Sequence, residues 1–178
     1  HEDRYPTEVR QSASLIQNAG NQLLDVVNDL MDLRALQEGT LHLTFQISHV
    51  QLLIDQTLED WHPIAKRQGM QLTVQGVASN LSIWVDPVRF KQVVRNLVSN
   101  AFKFNRPGGK VRVNWFDDGD SVLVTVSDTG PGISEHLHSR IFHAFDRLGA
   151  ESGDIAGTGI GLAICHQMVN MMGGRIGF

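Results

Sequence analysis

The chain has 178 residues, of which 42% are hydrophobic, enough for one domain core and one extra element. Fifteen Lys and Arg against nineteen Asp and Glu leave a formal net charge of −4, dispersed along the chain, so the summed field that draws nucleic acid or anionic membrane is missing. A single cysteine, Cys165, excludes an internal disulfide and fits a reducing, cytoplasmic setting, and no apolar run reaches the ~20 residues of a membrane helix.

The first pattern along the chain is a heptad. Val9, Ser12, Ile16, Ala19, Leu23, Val26, Leu30 and Leu33 alternate spacings of three and four. This predicts one long helix over about 7–37 with an apolar stripe, widened by Leu15, Val27 and Met31. Gly39 suits a left-handed cap at its end. Nothing else in the chain is long enough to pack along this helix, so the stripe calls for a partner subunit or further sequence.

Residues 41–47 alternate apolar and polar side chains and predict a strand. A helix follows with Val50, Ile54, Leu58, Trp61 and Ala65 on one face and Gly69 as its stop. Strands are expected at 71–77 and 82–85. Asp86-Pro87 then opens a helix as N-cap and first helical residue, with Phe90, Val93, Val94, Leu97 and Ala101 turned inward. Residues 110–116 and 121–127 alternate on both sides of Asp117-Asp118-Gly119-Asp120, a strong hairpin signal. A last helix is expected at 160–172, stopped by Gly173-Gly174, with Cys165 in the core and a strand beginning at 175–178. The order gives an α+β sandwich of helices on a mixed sheet behind a long coiled-coil-like helix. Residues 129–158 stay irregular and rich in glycine, and segments of that length in compact domains are commonly lids or binding loops.

Two glycine clusters flank this segment, Asp128-Thr129-Gly130-Pro131-Gly132 and Gly157-Thr158-Gly159-Ile160-Gly161. Glycine allows close backbone approach to a ligand, and free N–H groups at a helix start attract anions. Each cluster can equally be a pair of turns, and neither is a P-loop or a dinucleotide fingerprint. On the helix before them, Asn96, Asn100 and Lys103 fall on one face. Asn is a poor helix former, so two on one face are either a solvated face or a site. In the second case an Asn oxygen can ligate Mg²⁺ beside phosphates, and Lys can neutralise them.

These segments together resemble the histidine kinase branch of the superfamily that also includes DNA gyrase, the Hsp90 chaperones and MutL. The N-box of that family is similar to residues 92–104, its first glycine box to Asp128–Ile133, its F-box to Ile141–Arg147 and its second glycine box to Gly157–Ala163. The heptad helix, through residues 18–33, resembles the second helix of the kinase dimerisation hairpin. The resemblance implies a Bergerat-type ATP-binding fold over 41–178, with its last strand truncated, after a partial hairpin over 1–40. It implies ATP and Mg²⁺ as ligands. Asp128 would accept from the adenine amino group, and a carboxylate, having no donor, would select ATP over GTP. Asn100 would hold Mg²⁺, with Asn96 beside it and Lys103 on the phosphate side. Phe104 and Ile133 would complete the pocket, and Gly130 and Gly132 would admit the backbone to the nucleotide. Gly157, Thr158, Gly159, Ile160, Gly161 and Leu162 would meet the phosphates. Phe142 and Phe145 would anchor an ATP lid, and Arg147 would touch the γ-phosphate. The family's partners would be a second copy through the hairpin and a response-regulator receiver domain, with no membrane contact from this region.

Three departures are visible. Asn105 stands where the family often has Ser or Thr, and His143 and Ala144 replace the usual acid and proline of the F-box. His1-Glu2-Asp3-Arg4-Tyr5-Pro6 has the spacing of the family's phosphoacceptor motif, with His1 as acceptor and Glu2 as neighbouring base. Too few residues separate Pro6 from Val9 for a first hairpin helix, so these residues read as part of the inter-helix loop, and His1 and Glu2 would be acceptor and base only in a sequence with a missing middle. A non-catalytic kinase-like module that acts by dimerising with another kinase is the alternative function.

Overall fold

The computed structural model describes residues 7–76, 80–148 and 157–178. His1 and Glu2, residue 77 and positions 149–156 of the glycine-rich segment lie outside the described residues. The chain divides into two compact units, one ending at Leu41 and the other beginning at His42.

The first unit is one helix, α1 (Thr7–Gln37). Gly39 ends it at φ +66, with Thr40 N–H on the Ala35 carbonyl and Gly39 N–H on Leu36. This is a Schellman cap, which only a residue tolerant of the left-handed region can close cheaply. Val9, Ile16, Leu23 and Leu30 of the heptad stripe are exposed in the single chain, as are Val27 and Met31.

The second unit runs β1 (Gln46–His49), α2 (Val50–Leu58), α3 (Trp61–Arg67), β2 (Gln71–Gly76), β3 (Ser82–Val85), α4 (Pro87–Lys103), β4 (Lys110–Asp117), β5 (Val122–Asp128), a 3-10 helix (Glu135–Arg140) and α5 (Gly161–Met171). β2, β4 and β5 form a mixed sheet, parallel between β2 and β4 and antiparallel between β4 and β5. β1 and β3 form a separate antiparallel ribbon. On β4 the pleat turns Val111, Val113 and Trp115 inward. They meet Val50, Ile54 and Leu58 of α2, Ala65 of α3, and Val94, Val98, Ala101 and Phe102 of α4 in one core. The unit is therefore the expected α+β sandwich.

Four sequence expectations need correction. The first strand is Gln46–His49, not 41–47, because it extends only where Ser82–Val85 pairs with it. The helix after it is two helices, since the Pro63 ring would clash with the carbonyl four residues back. By restarting at Trp61, α3 places Pro63 in a first turn, where no N–H is needed. Within α4 the inward set includes Val98 and Phe102, while Leu97 is only half-buried. This helix is covered on two sides: Phe102 packs on Trp61 at 4.9 Å, and Cys165 of α5 lies 3.9 Å from the Val93 carbonyl. Residues 175–178 carry no strand. Cys165 is buried, as expected of a core thiol.

The capping and hairpin signals hold. Asp86 caps α4, accepting from Val88 and Arg89 N–H at 2.9 and 3.0 Å, and its second oxygen accepts from Thr44 N–H at 2.8 Å. Three donors explain why this carboxylate can be buried. The β4–β5 hairpin turns at Gly119, φ +74.

Gly76 ends β2 directly opposite Trp115, and a methyl group there would overlap the indole ring. Gly76→Ala is expected to destabilise the domain by about 2 kcal/mol, seen as a Tm lower by about 4–8 °C in a calorimetric melt for a chain of this size. An unchanged Tm would mean that the indole is free to move aside.

Candidate functional site

α4 carries the centre of the site. It forms because Asp86 caps it, Pro87 starts it and its apolar residues are buried on two sides, which fixes the remaining face. Asn96 and Asn100 are half-buried on that face, Lys103 is exposed, and Phe104 follows as the C-cap residue, 41% exposed. Among the described residues no protein group hydrogen-bonds the side chains of Asn96, Asn100 or Lys103. Half-buried helical amides with no protein partner suit a bound ligand better than a plain solvated face.

Both glycine clusters close on this same helix. A methyl group at Gly161, the first residue of α5, would come within 2.6 Å of both polar atoms of the Asn96 amide. A methyl group at Gly130 would overlap the Phe104 carbonyl oxygen and lie 2.9 Å from Asp128 Oδ1. Asn96 and Phe104 are two turns apart, roughly 12 Å along the axis, with Asn100 midway. The absence of side chains at these two glycines is what lets the clusters reach α4.

Asp128 ends β5 and is exposed. Its Oδ1 accepts from Gly130 N–H at 2.7 Å, which folds the first glycine turn. Among the described residues its other oxygen has no protein donor. Gly132 has φ +72, and Ile133 beside it is 41% exposed. In the second cluster Gly157 is exposed, Thr158, Gly159 and Leu162 are half-buried and Ile160 is buried. The Thr158 hydroxyl accepts from Ile160 N–H at 3.3 Å.

The base of the irregular segment is pinned to the second cluster. Phe145 N–H donates to the Gly159 carbonyl at 3.0 Å, and a methyl at Gly159 (φ +70) would sit 2.9 Å from the Asp146 carbonyl oxygen. Ile141 is buried, and Phe142 stacks on His166 of α5 at 4.9 Å. Phe145, expected as a second anchor, is instead 63% exposed with φ +66. Leu148 also has positive φ, +52. Such conformations cost ~1–3 kcal/mol each and persist where surrounding contacts enforce them. Asp146 supplies one such contact. Its carboxyl is held below the ordinary 3.8 by the Leu148 N–H and, against some opposing desolvation, by Arg140, whose Nε lies 2.7 Å away. What this pairing adds to stability is present above the ordinary carboxylate value and is lost only as pH falls through the depressed one. Arg147 is half-buried beside it.

One network was not foreseen. Asn105 and Thr129 hydrogen-bond to each other and to the backbone of Lys110, joining the end of α4 to the starts of β4 and of the first glycine turn. Asn105 shows in the sequence only as a residue unlike its family's usual one. A concavity of about 410 Å³ lies elsewhere, among Asp55, Gln56, Leu58, Glu59, His62 and Val74. Its lining carries Asp55 and Glu59 and none of the residues of either glycine cluster or of the Asn96–Lys103 face, so it is not the site above.

An α+β domain with helical amides that have no hydrogen-bond partner among the described residues, met at two points by glycine turns, is a receptacle suited to a phosphorylated ligand. The profile described as histidine kinase-, DNA gyrase B- and HSP90-like ATPase matches residues 85–178, and the chain belongs to that family, in its ATP-binding histidine kinase branch. The virulence sensor protein BvgS of Bordetella pertussis is 34% identical over 94% of this chain, and the circadian input-output histidine kinase CikA of Synechococcus elongatus is likewise 34% identical over 94%. This chain spans only 14% and 22% of those proteins. Among solved structures, full-length ShkA in complex with AMPPNP is 28% identical, with a TM-score of 0.76, over 97% of this chain and 36% of its own. No described helix is long and apolar enough to cross a membrane.

Proposed function

We propose that the chain is the ATP-binding catalytic region of a two-component sensor histidine kinase, in which the γ-phosphate of ATP passes to a histidine and then to an aspartate of a response-regulator receiver domain. The observation that carries the reading is the convergence of both glycine turns on the Asn96–Phe104 stretch of α4, with Asn100 midway and without a hydrogen-bond partner for its amide among the described residues. The donor set fits a metal nucleotide. Neutral amide oxygens suit Mg²⁺ when phosphates bring the charge, and the metal would supply charge neutralisation at those phosphates. Asn100 is the metal-holding residue, Asn96 supports it, and Lys103 and Arg147 are the cations for phosphate. The backbone of Gly157–Leu162 offers N–H groups at the start of α5. Asp128 reads the adenine amino group, with Phe104 and Ile133 as apolar neighbours.

The stripe Val9, Ile16, Leu23 and Leu30 suits a homodimer through the helical hairpin, since exposed heptad residues gain by mutual burial. Dimerisation alone would serve a non-catalytic module equally well, so nucleotide binding decides between the two. Calorimetric titration with Mg-ATP is expected to show binding that Asn100→Ala weakens about tenfold, the loss of one ligand or hydrogen bond. With ATP and no Mg²⁺ the two proteins should differ little. An equal loss with and without the metal would remove Asn100 from metal binding, and no binding by the folded wild type would favour the module.

A further inference from the structure

Asn105 and Thr129 are 24 residues apart in sequence and face each other at 3.1 Å, with the Thr129 hydroxyl donating to Asn105 Oδ1. Both also grip Lys110. Its N–H donates to Thr129 Oγ1 at 2.9 Å, and its carbonyl accepts from Asn105 Nδ2 at 3.1 Å. The ring of bonds is closed, and Asn105 Oδ1 additionally accepts from Arg106 N–H at 3.0 Å. The neighbourhood is shaped around this pose: a methyl at Gly109, which is buried, would overlap the Asn105 amide. Each partner adjoins a residue of the nucleotide site. Asn105 follows Phe104, whose carbonyl presses on Gly130, and Thr129 lies between Asp128 and Gly130.

We propose that Asn105 and Thr129 are positioning residues that fix the placement of Asp128 against the end of α4, and thereby set both the affinity for ATP and its preference over GTP. The proposal rests on the reading of Asp128 as the adenine acceptor. Neither residue needs to touch the nucleotide. Asn105 can take the place of a family hydroxyl because its amide has both a donor and an acceptor, so one side chain answers the Lys110 carbonyl and the Thr129 hydroxyl together. Held this way, the first glycine turn cannot slide along the helix that carries Asn100.

The test is titration of the whole chain with Mg-ATP and Mg-GTP, for the wild type, Thr129→Val, Thr129→Ser and Asn105→Ala, each also in an Asp128→Asn background, with thermal melts alongside. Thr129→Val keeps the shape and removes the hydroxyl, and is expected to weaken ATP binding roughly five- to tenfold and to narrow the ATP-to-GTP ratio. Asn105→Ala should do the same, giving a second reading if the valine variant folds poorly. Thr129→Ser should bind within roughly twofold of wild type, since it retains the hydroxyl. In the Asp128→Asn background the two variants should lose little more, because they act through Asp128. If wild type binds ATP and Thr129→Val and Asn105→Ala leave affinity and the ratio unchanged, the positioning role is wrong. Losses fully additive to Asp128→Asn would overturn it too, as general loosening of the fold. Absence of ATP binding by wild type would remove the nucleotide reading itself, and the proposal with it.

Discussion

Replacing Gly130 with alanine is expected to weaken Mg-ATP binding roughly 10- to 100-fold, the equivalent of about 1–3 kcal/mol of overpacking. The added methyl group would overlap the Phe104 carbonyl oxygen. That oxygen belongs to the backbone, so it cannot swing aside as a long side chain does, and the turn or the end of α4 must shift. The nearest alternative direction is blocked as well, since Asp128 Oδ1 would lie 2.9 Å from the new carbon and already holds the Gly130 N–H. A displaced turn carries Asp128 with it, so the loss should fall on the adenine end of the pocket. Titration calorimetry measures the affinity, and circular dichroism establishes that the variant is folded. A folded variant that bound ATP within twofold of wild type would show that the first glycine turn does not meet the nucleotide. Gly161→Ala provides a milder comparison, because its neighbour is the end of the Asn96 side chain, which can rotate.

The sequence makes the long and the locally determined features plain. Residues 7–37 repeat their apolar positions over four heptads, and α1 runs through all of them to Gln37. Gly39, Gly69 and Gly173 stop helices where the sequence places stops, each at positive φ with the pair of backbone bonds of a Schellman cap. Asp86-Pro87 contains its own capping chemistry. Features that depend on a distant partner are not visible in this way. Alternation at 41–47 is a local pattern, but a strand is as long as its neighbour, and β3 pairs only with Gln46–His49. Residues 175–178 alternate no less well and have no paired strand among the described residues. Phe102 is called inward by Trp61, forty-one residues earlier in the chain.

The same division holds in the site. Asn96, Asn100 and Lys103 share a helix face, which the helical period alone predicts. That Gly161 abuts Asn96, and Gly130 abuts Phe104, is a fact of packing that no spacing rule contains. Asn105 illustrates the limit well. In sequence it is a departure from a pattern; in the folded chain its amide satisfies the start of β4 and the hydroxyl of Thr129. Phe145 illustrates the opposite error, an aromatic residue whose position in the motif suggested an anchor and whose backbone, not its ring, does the fastening.

Asp128→Asn should reverse the base preference more than it harms the fold. In the wild type, Oδ1 folds the glycine turn and the second oxygen has no protein donor among the described residues. The asparagine can keep the first bond through its own Oδ1, so the turn survives and the NH₂ group takes the place of the second oxygen. An amide N–H there faces the adenine amino group donor to donor, which removes a charge-assisted hydrogen bond and leaves two donors opposed. ATP affinity is expected to fall roughly 10- to 100-fold, in line with ~1.5–3 kcal/mol for a hydrogen bond to a charged group. Guanine presents a carbonyl oxygen at the same position, and the new NH₂ can donate to it. GTP binding should therefore hold steady or rise, and the ATP-to-GTP ratio should fall by at least as much as ATP affinity does. Parallel titrations of both proteins with both nucleotides read this ratio directly. A large loss of ATP affinity at a constant ratio would mean that the Asp128 charge supports the pocket without reading the base, and an unchanged ATP affinity would move the adenine contact away from Asp128 altogether.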